Sequence, residues 1–175
     1  MNTIPSLGAA FEDVRDFHRT FGHPAPDVPT VIPQERVEAR ADWLNEEADE
    51  FVTASGLVEA RIGASADPAD TYGHVDVIAE QADAMIDAAY FALGGLVELG
   101  IDPSPLWDIV HRANMAKLWP DGTVRRRPED GKVIKPPGWQ DPGPLIRAEV
   151  RRQVEGAKNN AELLRHGAVP AASVF

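Results

Sequence analysis

The chain of 175 residues contains no cysteine. Disulfides and thiolate-held zinc or iron–sulfur centres are therefore excluded, and a reducing compartment, the cytoplasm, is the expected location. No apolar run approaches the ~20 residues needed to cross a bilayer, so no membrane partner is expected. The opening residues MNTIPSLGAAFEDVRDF carry no basic segment followed by an apolar one, so no secretory leader is expected either. Basic charge is scarce: 17 Lys and Arg stand against 28 Asp and Glu, a net charge of −11. A nucleic-acid polymer asks for a basic face and is not an expected partner, whereas a small anion bridged by metal ions stays open. There is no glycine-rich phosphate loop, which argues against a Walker-type ATPase. No two histidines have ligand spacing, which argues against a histidine-rich metal site. Strand signals are few.

What is present is helical period. Phe11, Val14, Phe17 and Phe21 recur at three and four, with Ser6 as N-cap and Gly22 as stop, which predicts a first helix over 6–21. The proline-rich stretch 23–29 predicts an extended connector. A second helix is expected over 33–55, broken at Gly56 and resumed briefly over 57–62, then a loop over 63–72. A third is expected over 74–99, stopped by Gly100. Gly94-Gly95 sits inside it at a cost of about 1 kcal/mol each against alanine, which predicts a close helix–helix approach. A fourth runs over 103–118. Residues 123–139 are basic and punctuated by Pro and Gly, predicting a small hairpin or an ordered loop. Residues 144–165 have helical composition with a sparse apolar stripe, which leaves packing on a partner subunit or mobility open. The expected fold is all-α: a four-helix-bundle-type core with an acidic metal site, a Pro/Gly-rich C-terminal loop region and an extra C-terminal helix. Residues 1–143 form the expected main domain and 144–175 an extension, helical or mobile.

Two acidic stripes interrupt this pattern. Glu46, Glu47 and Glu50 share one side of the second helix. Like charges so placed repel, so they either form a solvated face or meet a cation. Glu80, Asp83 and Asp87 fall at spacings of three and four on the third helix, amid Ala82, Ala84, Met85, Ile86, Ala88, Ala89, Tyr90 and Phe91. A helix that apolar is normally buried, and buried carboxylates must be paired, protonated or metal-bound. Two such stripes on two helices point to carboxylates converging on a hard cation such as Mg2+, with Mn2+ as substitute.

The EExxE helix followed by ExxD and DxxxD spacings resembles the all-α nucleoside triphosphate pyrophosphohydrolases, the superfamily of MazG, the dimeric dUTPases and phosphoribosyl-ATP pyrophosphohydrolase. The segments Leu99-Gly100-Ile101-Asp102, Val110 to Leu118 (VHRANMAKL) and Asp130 to Pro137 (DGKVIKPP) are similar to the phosphoribosyl-ATP pyrophosphohydrolase-like branch. The resemblance covers roughly residues 11–142. It departs from the family at Ala113, where a serine is usual. The usual ExxD glutamate falls at Ala84 if Asp87 closes the motif; otherwise Glu80 and Asp83 form the pair.

The resemblance implies an enzyme that hydrolyses a nucleoside triphosphate between the α and β phosphates, yielding the monophosphate and pyrophosphate, in a house-cleaning or dUTPase-like role. It implies Glu47 or Glu46 as general base, and metal ligands among Glu46, Glu47, Glu50, Glu80, Asp83 and Asp87. Asn114, Lys117, Lys132 and Lys135 are the implied substrate-binding groups, with Arg112 a weaker candidate. Homodimers or homotetramers are implied as well. Two alternatives stand beside this reading. One is a non-catalytic helical module for oligomerisation or nucleotide sensing, which would be expected to have lost the acids. The other is a phosphoribosyl-ATP pyrophosphohydrolase of histidine synthesis, against which stand the long N-terminal segment and the basic C-terminal loop.

Overall fold

The computed structural model describes residues 6–62 and 71–165. Five helices lie among them: α1 Leu7–Phe21, α2 Gln34–Ile62, α3 Thr71–Glu98, α4 Ser104–Met115 and α5 Gly143–Arg165. The all-α expectation holds. The described residues contain no strand, only an isolated antiparallel bridge between Arg126 and Val133. None of the described helices is long and apolar enough to cross a membrane.

Local chemistry sets most helix ends. Ser6 caps α1 by accepting a hydrogen bond from the Ala9 amide at 3.2 Å. Gly22 closes the helix at φ +76, and Gly100 follows α3 at φ +62, both in the left-handed region that costs glycine nothing. Three expectations need correction. Gly56 does not interrupt α2, which runs unbroken to Ile62; a single interior glycine costs about 1 kcal/mol, which a 29-residue helix absorbs. Helix α4 ends at Met115 rather than near 118. Thr71 and Tyr72, expected in a loop, already belong to α3, while the rest of that loop lies outside the described residues.

The described chain forms two compact units, Met1–Pro26 with Thr30–Gly100, and Asp27–Pro29 with Ile101–Phe175. In the first, α3 packs against both α2 and α1. Contacts run in opposite directions along each pair: Arg36 and Arg40 meet Glu98, Trp43 meets Phe91, and Phe17 meets Tyr90. Phe11 and Val14, earlier on α1, cluster with Val97, later on α3, so both pairs are antiparallel. In the second unit α4 packs against α5, so the expected fourth helix and the C-terminal helix share a unit. Between them in the chain, residues 123–139 form an ordered loop that doubles back through one antiparallel bridge, Arg126 with Val133.

The apolar core of the first unit is small: Phe11, Val14 and Val97, flanked by Ala25, Leu93 and Leu96. A buried polar network supplements it. Glu98 is 3 % exposed and accepts from both Arg36 and Arg40, the latter at 2.7 Å. Arg40 also donates to the Phe91 carbonyl at 3.1 Å and to His18 Nε2 at 3.0 Å. His18 Nδ1 bonds the Pro24 carbonyl at 2.8 Å, which it can do only as a donor, so Nε2 is the acceptor and the ring is neutral. Burial is the main cause holding the His18 pKa below its ordinary value, with Arg40 adding to it against the Pro24 bond. For Glu98, burial raises the pKa, but the hydrogen bonds from Arg36 and Arg40 outweigh it and the net direction is down.

The close approach expected at Gly94-Gly95 is present at Gly94. A Cβ there would stand 2.9 Å from His18 Nε2 and 3.0 Å from Arg40 Cζ. Arginine tips usually yield, but this one is pinned on three sides. Gly94→Ala is expected to cost about 2 kcal/mol through overpacking. Gly95, with only Arg40 Cδ at 3.8 Å, should accept alanine and gain up to about 1 kcal/mol of helix propensity. Urea-unfolding midpoints of the two variants check this pair; equal midpoints would contradict it.

Candidate active site

Glu46, Glu47 and Glu50 project from the middle of α2, and Asp83 and Asp87 from the middle of α3. Because the helices are antiparallel and joined by the Arg40 and Trp43 contacts, these stretches face each other. Among the described residues, the expected burial of the acidic stripe on α3 is not found. Glu80, Asp83 and Asp87 are exposed, as are Met85 and Ile86. The physical reason is that α1 and α2 cover only part of α3.

The buried acid is Glu47, 8 % exposed, with a carboxylate oxygen, Oε2, that has no hydrogen-bond partner. Burial raises its pKa first, and the charges of Glu50, Asp87, Glu46 and Asp83 raise it further, in that order. Five acids from two helices thus share one electrostatic neighbourhood centred on Glu47. Glu80 lies one turn before Asp83, and Asp83 and Asp87 are the α3 acids among those charges. Ala84, between them, is buried at 3 % exposure. With the side chains as they stand, no three acids or histidines among the described residues are grouped closely enough to hold a metal ion.

The four expected substrate-binding groups lie in the second unit. Lys117 Nζ donates to Asn114 Oδ1 at 2.7 Å, so these two are brought together at the end of α4. Lys132 and Lys135 sit on the loop. Lys132 Nζ is 3.8 Å from Asp130, and Lys135 Nζ lies 3.8 Å above the Trp139 ring. Arg112 lines a cleft of about 810 Å³ between α4 and the loop, beside Pro136 and Trp139.

Two groups of important residues were not found by sequence reasoning. Arg40, Glu98 and His18 are far apart in the chain and match no local pattern, so their joint burial had no signal. Trp119 and Trp139 fasten the loop. Trp139 Nε1 donates to the Ala113 carbonyl at 2.8 Å, and Trp119 Nε1 to the Ile134 carbonyl at 3.1 Å. Arg125 stacks on Trp119 at 3.6 Å.

Facing acids on paired helices, among described residues that are all-α, are the arrangement that the resemblance to the all-α pyrophosphohydrolases implies. Within that class, the family model for phosphoribosyl-ATP pyrophosphohydrolase matches residues 14–114, more than half of the chain. The chain belongs to that family and is a pyrophosphohydrolase. Among solved structures, it is similar to a protein from Exiguobacterium sp. 255-15 named "putative NTP pyrophosphohydrolase", at 39% identity over 85% of this chain and 97% of that one, with a TM-score of 0.46. No curated protein matches the chain.

The raised Glu47 pKa has a sign that can be tested. A carboxyl whose pKa is higher folded than unfolded stabilises the fold below the unfolded value, and that contribution is lost as pH rises through the folded value. At pH 8 in EDTA, Glu47→Gln should therefore melt higher than the wild type, with the difference closing as pH falls toward 4.5, the ordinary value for glutamate. A variant that melts lower than the wild type at pH 8 in EDTA would contradict the arrangement.

Proposed function

We propose that the chain is a Mg2+-dependent nucleoside triphosphate pyrophosphohydrolase, cleaving between the α and β phosphates to give a nucleoside monophosphate and pyrophosphate. The observation that carries this reading is the unpartnered Oε2 of buried Glu47 among four further carboxylates. An uncompensated cluster of this kind is costly unless a cation joins it. Oxygen donors alone suit a hard divalent ion, Mg2+ or Mn2+. Glu46, Glu47, Glu50, Asp83 and Asp87 would hold it, with Glu80 as a further candidate one turn away. A divalent ion bound there supplies charge neutralisation between the acids and a polyanionic substrate, and makes the attacking water more acidic.

The chain's own groups divide the remaining work. Glu47 or Glu46 accepts the proton of the water that attacks the α-phosphorus. The bond from that phosphorus to the bridging oxygen breaks, and pyrophosphate leaves with its electron pair. Asn114 and Lys117, and Lys132 and Lys135 on the loop, are the proposed phosphate-binding groups. The positive charge of the three lysines would offset what develops on the leaving pyrophosphate, and the Asn114 amide would donate a hydrogen bond. The cytoplasm, which the lack of cysteine permits, is the proposed location. A second reading is favoured by the family's own description: phosphoribosyl-ATP, which undergoes the same α–β cleavage, as substrate.

A nucleotide panel including phosphoribosyl-ATP, assayed with Mg2+, should release pyrophosphate and monophosphate and should stop in EDTA. Glu47→Gln should lower kcat by about 10²–10⁴-fold. Orthophosphate release, or no turnover of any nucleotide by the wild type, would sink the reading.

We further propose that the working form is a homodimer or homotetramer. Along α3, Val75, Ile78, Met85 and Ile86 are exposed, Ile86 at 66 %, while the buried core is small. A second copy covering that face would bury the apolar residues and enclose the acids beside them. Light scattering on the wild type should give at least twice the monomer mass, and Ile86→Glu should shift it to the monomer. A monomeric wild type at micromolar concentration would overturn this.

A further inference from the structure

The loop between α4 and α5 is rich in cations, and most of them are already engaged. Arg125 pairs with Asp121 at 3.0 Å. Arg126 donates to the Gly131 carbonyl at 3.0 Å, and Arg127 pairs with Asp130. Lys132 Nζ also lies toward Asp130, at 3.8 Å. Lys135 is different. Its ammonium stands 3.8 Å over the Trp139 ring, and no carboxylate among the described residues lies within ion-pair distance of it. A ring face attracts a cation without cancelling its charge. An ammonium carries three donors, and a ring engages only one side of it, so Lys135 keeps donors for an anion.

Trp139 also grips the end of α4. Its indole N–H donates to the Ala113 carbonyl at 2.8 Å, in a part-buried bond. The last four carbonyls of an α-helix have no partner within the helix. In α4 they belong to Arg112, Ala113, Asn114 and Met115. The amides of Ala116, Lys117 and Leu118 answer Arg112, Asn114 and Met115, at 2.9, 3.1 and 3.1 Å. The Ala113 carbonyl is answered from farther along the chain, by Trp139. Carbonyls at this end form the negative pole of the helix, which disfavours an anion. Asn114 and Lys117 stand at that pole, with Lys117 Nζ on Asn114 Oδ1 at 2.7 Å. An indole donor on the adjacent carbonyl weakens the repulsion where a phosphate would approach them.

A continuous chain of contacts therefore runs from Lys117 through Asn114, its neighbour Ala113 and the Trp139 ring to Lys135. The backbone that bears Lys135 is held as well. The Ile134 amide donates to the Arg125 carbonyl at 2.7 Å, and the Ile134 carbonyl accepts from Trp119 Nε1 at 3.1 Å. The Trp139 amide closes the next turn on the Pro136 carbonyl at 3.1 Å. A lysine loses much rotamer freedom when it grips a ligand. Resting it on a fixed ring removes part of that loss before the anion arrives.

We propose that Trp139 is a positioning residue, which holds Lys135 to the end of α4 that carries Asn114 and Lys117, so that the two lysines form one polyphosphate subsite. The inference rests on the function proposed above. It adds which loop lysine is free to meet the substrate and which side chain places it there.

Calorimetric binding of inorganic pyrophosphate with Mg2+ to the full chain reads the subsite without turnover. Lys135→Met and Trp139→Leu should each weaken binding about tenfold, equivalent to ~1.4 kcal/mol. The double variant should lose little more than either single one, far short of the roughly hundredfold loss that independent residues would give. A tryptophan that merely stiffened the loop would weaken binding as much in the Lys135→Met background as in the wild type. Trp139→Phe keeps a ring and loses the donor, so it should fall between the wild type and Trp139→Leu. The same cycle run with Trp139→Phe stands even where Trp139→Leu does not fold. Additive losses, or a Trp139→Phe variant that binds like the wild type, would overturn the positioning role. Nucleotide turnover by the wild type without coupling between Trp139 and Lys135 overturns that role alone. Coupled binding of pyrophosphate by a chain that turns over no nucleotide overturns the hydrolase reading alone. A wild type that neither binds pyrophosphate nor turns over any nucleotide overturns both.

Discussion

Arg40 ties three helices together through one guanidinium. From α2 it reaches the Phe91 carbonyl and Glu98 on α3, and His18 on α1. Charged groups taken from water carry a large desolvation cost, repaid only when their hydrogen bonds are nearly complete. Here Glu98 receives two arginines, and His18 remains neutral so that it can accept rather than repel. Once assembled, such a network is intolerant of loss, since removing one partner leaves the other charged and buried. It therefore sets the register of α2 against α3. The facing of Glu47 with Asp83 and Asp87, two to three turns farther along α2, follows from that register.

The site has the opposite character. Around Glu98 every carboxylate oxygen is answered by a cation, whereas around Glu47 further acids stand in the same space. The two glutamates have similar exposure and opposite pKa directions, because one faces arginines and the other faces carboxylates. A fold that holds both is stabilised at one end of the α2–α3 pair and electrostatically stressed near its middle. Stress confined to one place, beside helices locked elsewhere, is the expected condition of a site built to receive a cation. The apolar face of α3 fits the same picture: its outer residues Val75, Ile78, Met85 and Ile86 are exposed.

Much of the local structure was legible in the residues. Ser6 and Gly22 bounded α1, Gly100 marked the end of α3, and the spacing of acids on α2 and α3 identified the faces that meet. Gly56 misled, because glycine signals a break only where the chain has reason to turn. The acidic stripe on α3 was expected to be buried on the strength of its apolar neighbours. That inference assumed cover on all sides, and one chain supplies it on only some.

By itself the sequence determined the all-α class, most helix ends, the two acidic stripes and the family, because each is written in short-range pattern or in ordered motifs. Only the tertiary structure decided which acid is buried, which charges act on it, and that an arginine, a histidine and a glutamate from three helices form the clamp. Those outcomes depend on distances between residues such as Arg40 and Glu98, which are 58 positions apart. No periodicity reports a pairing of that range. The same holds for the ring contact on the α2–α3 pair: Trp43 and Phe91 meet because two antiparallel helices bring them together, and neither residue carries that information in its own neighbourhood.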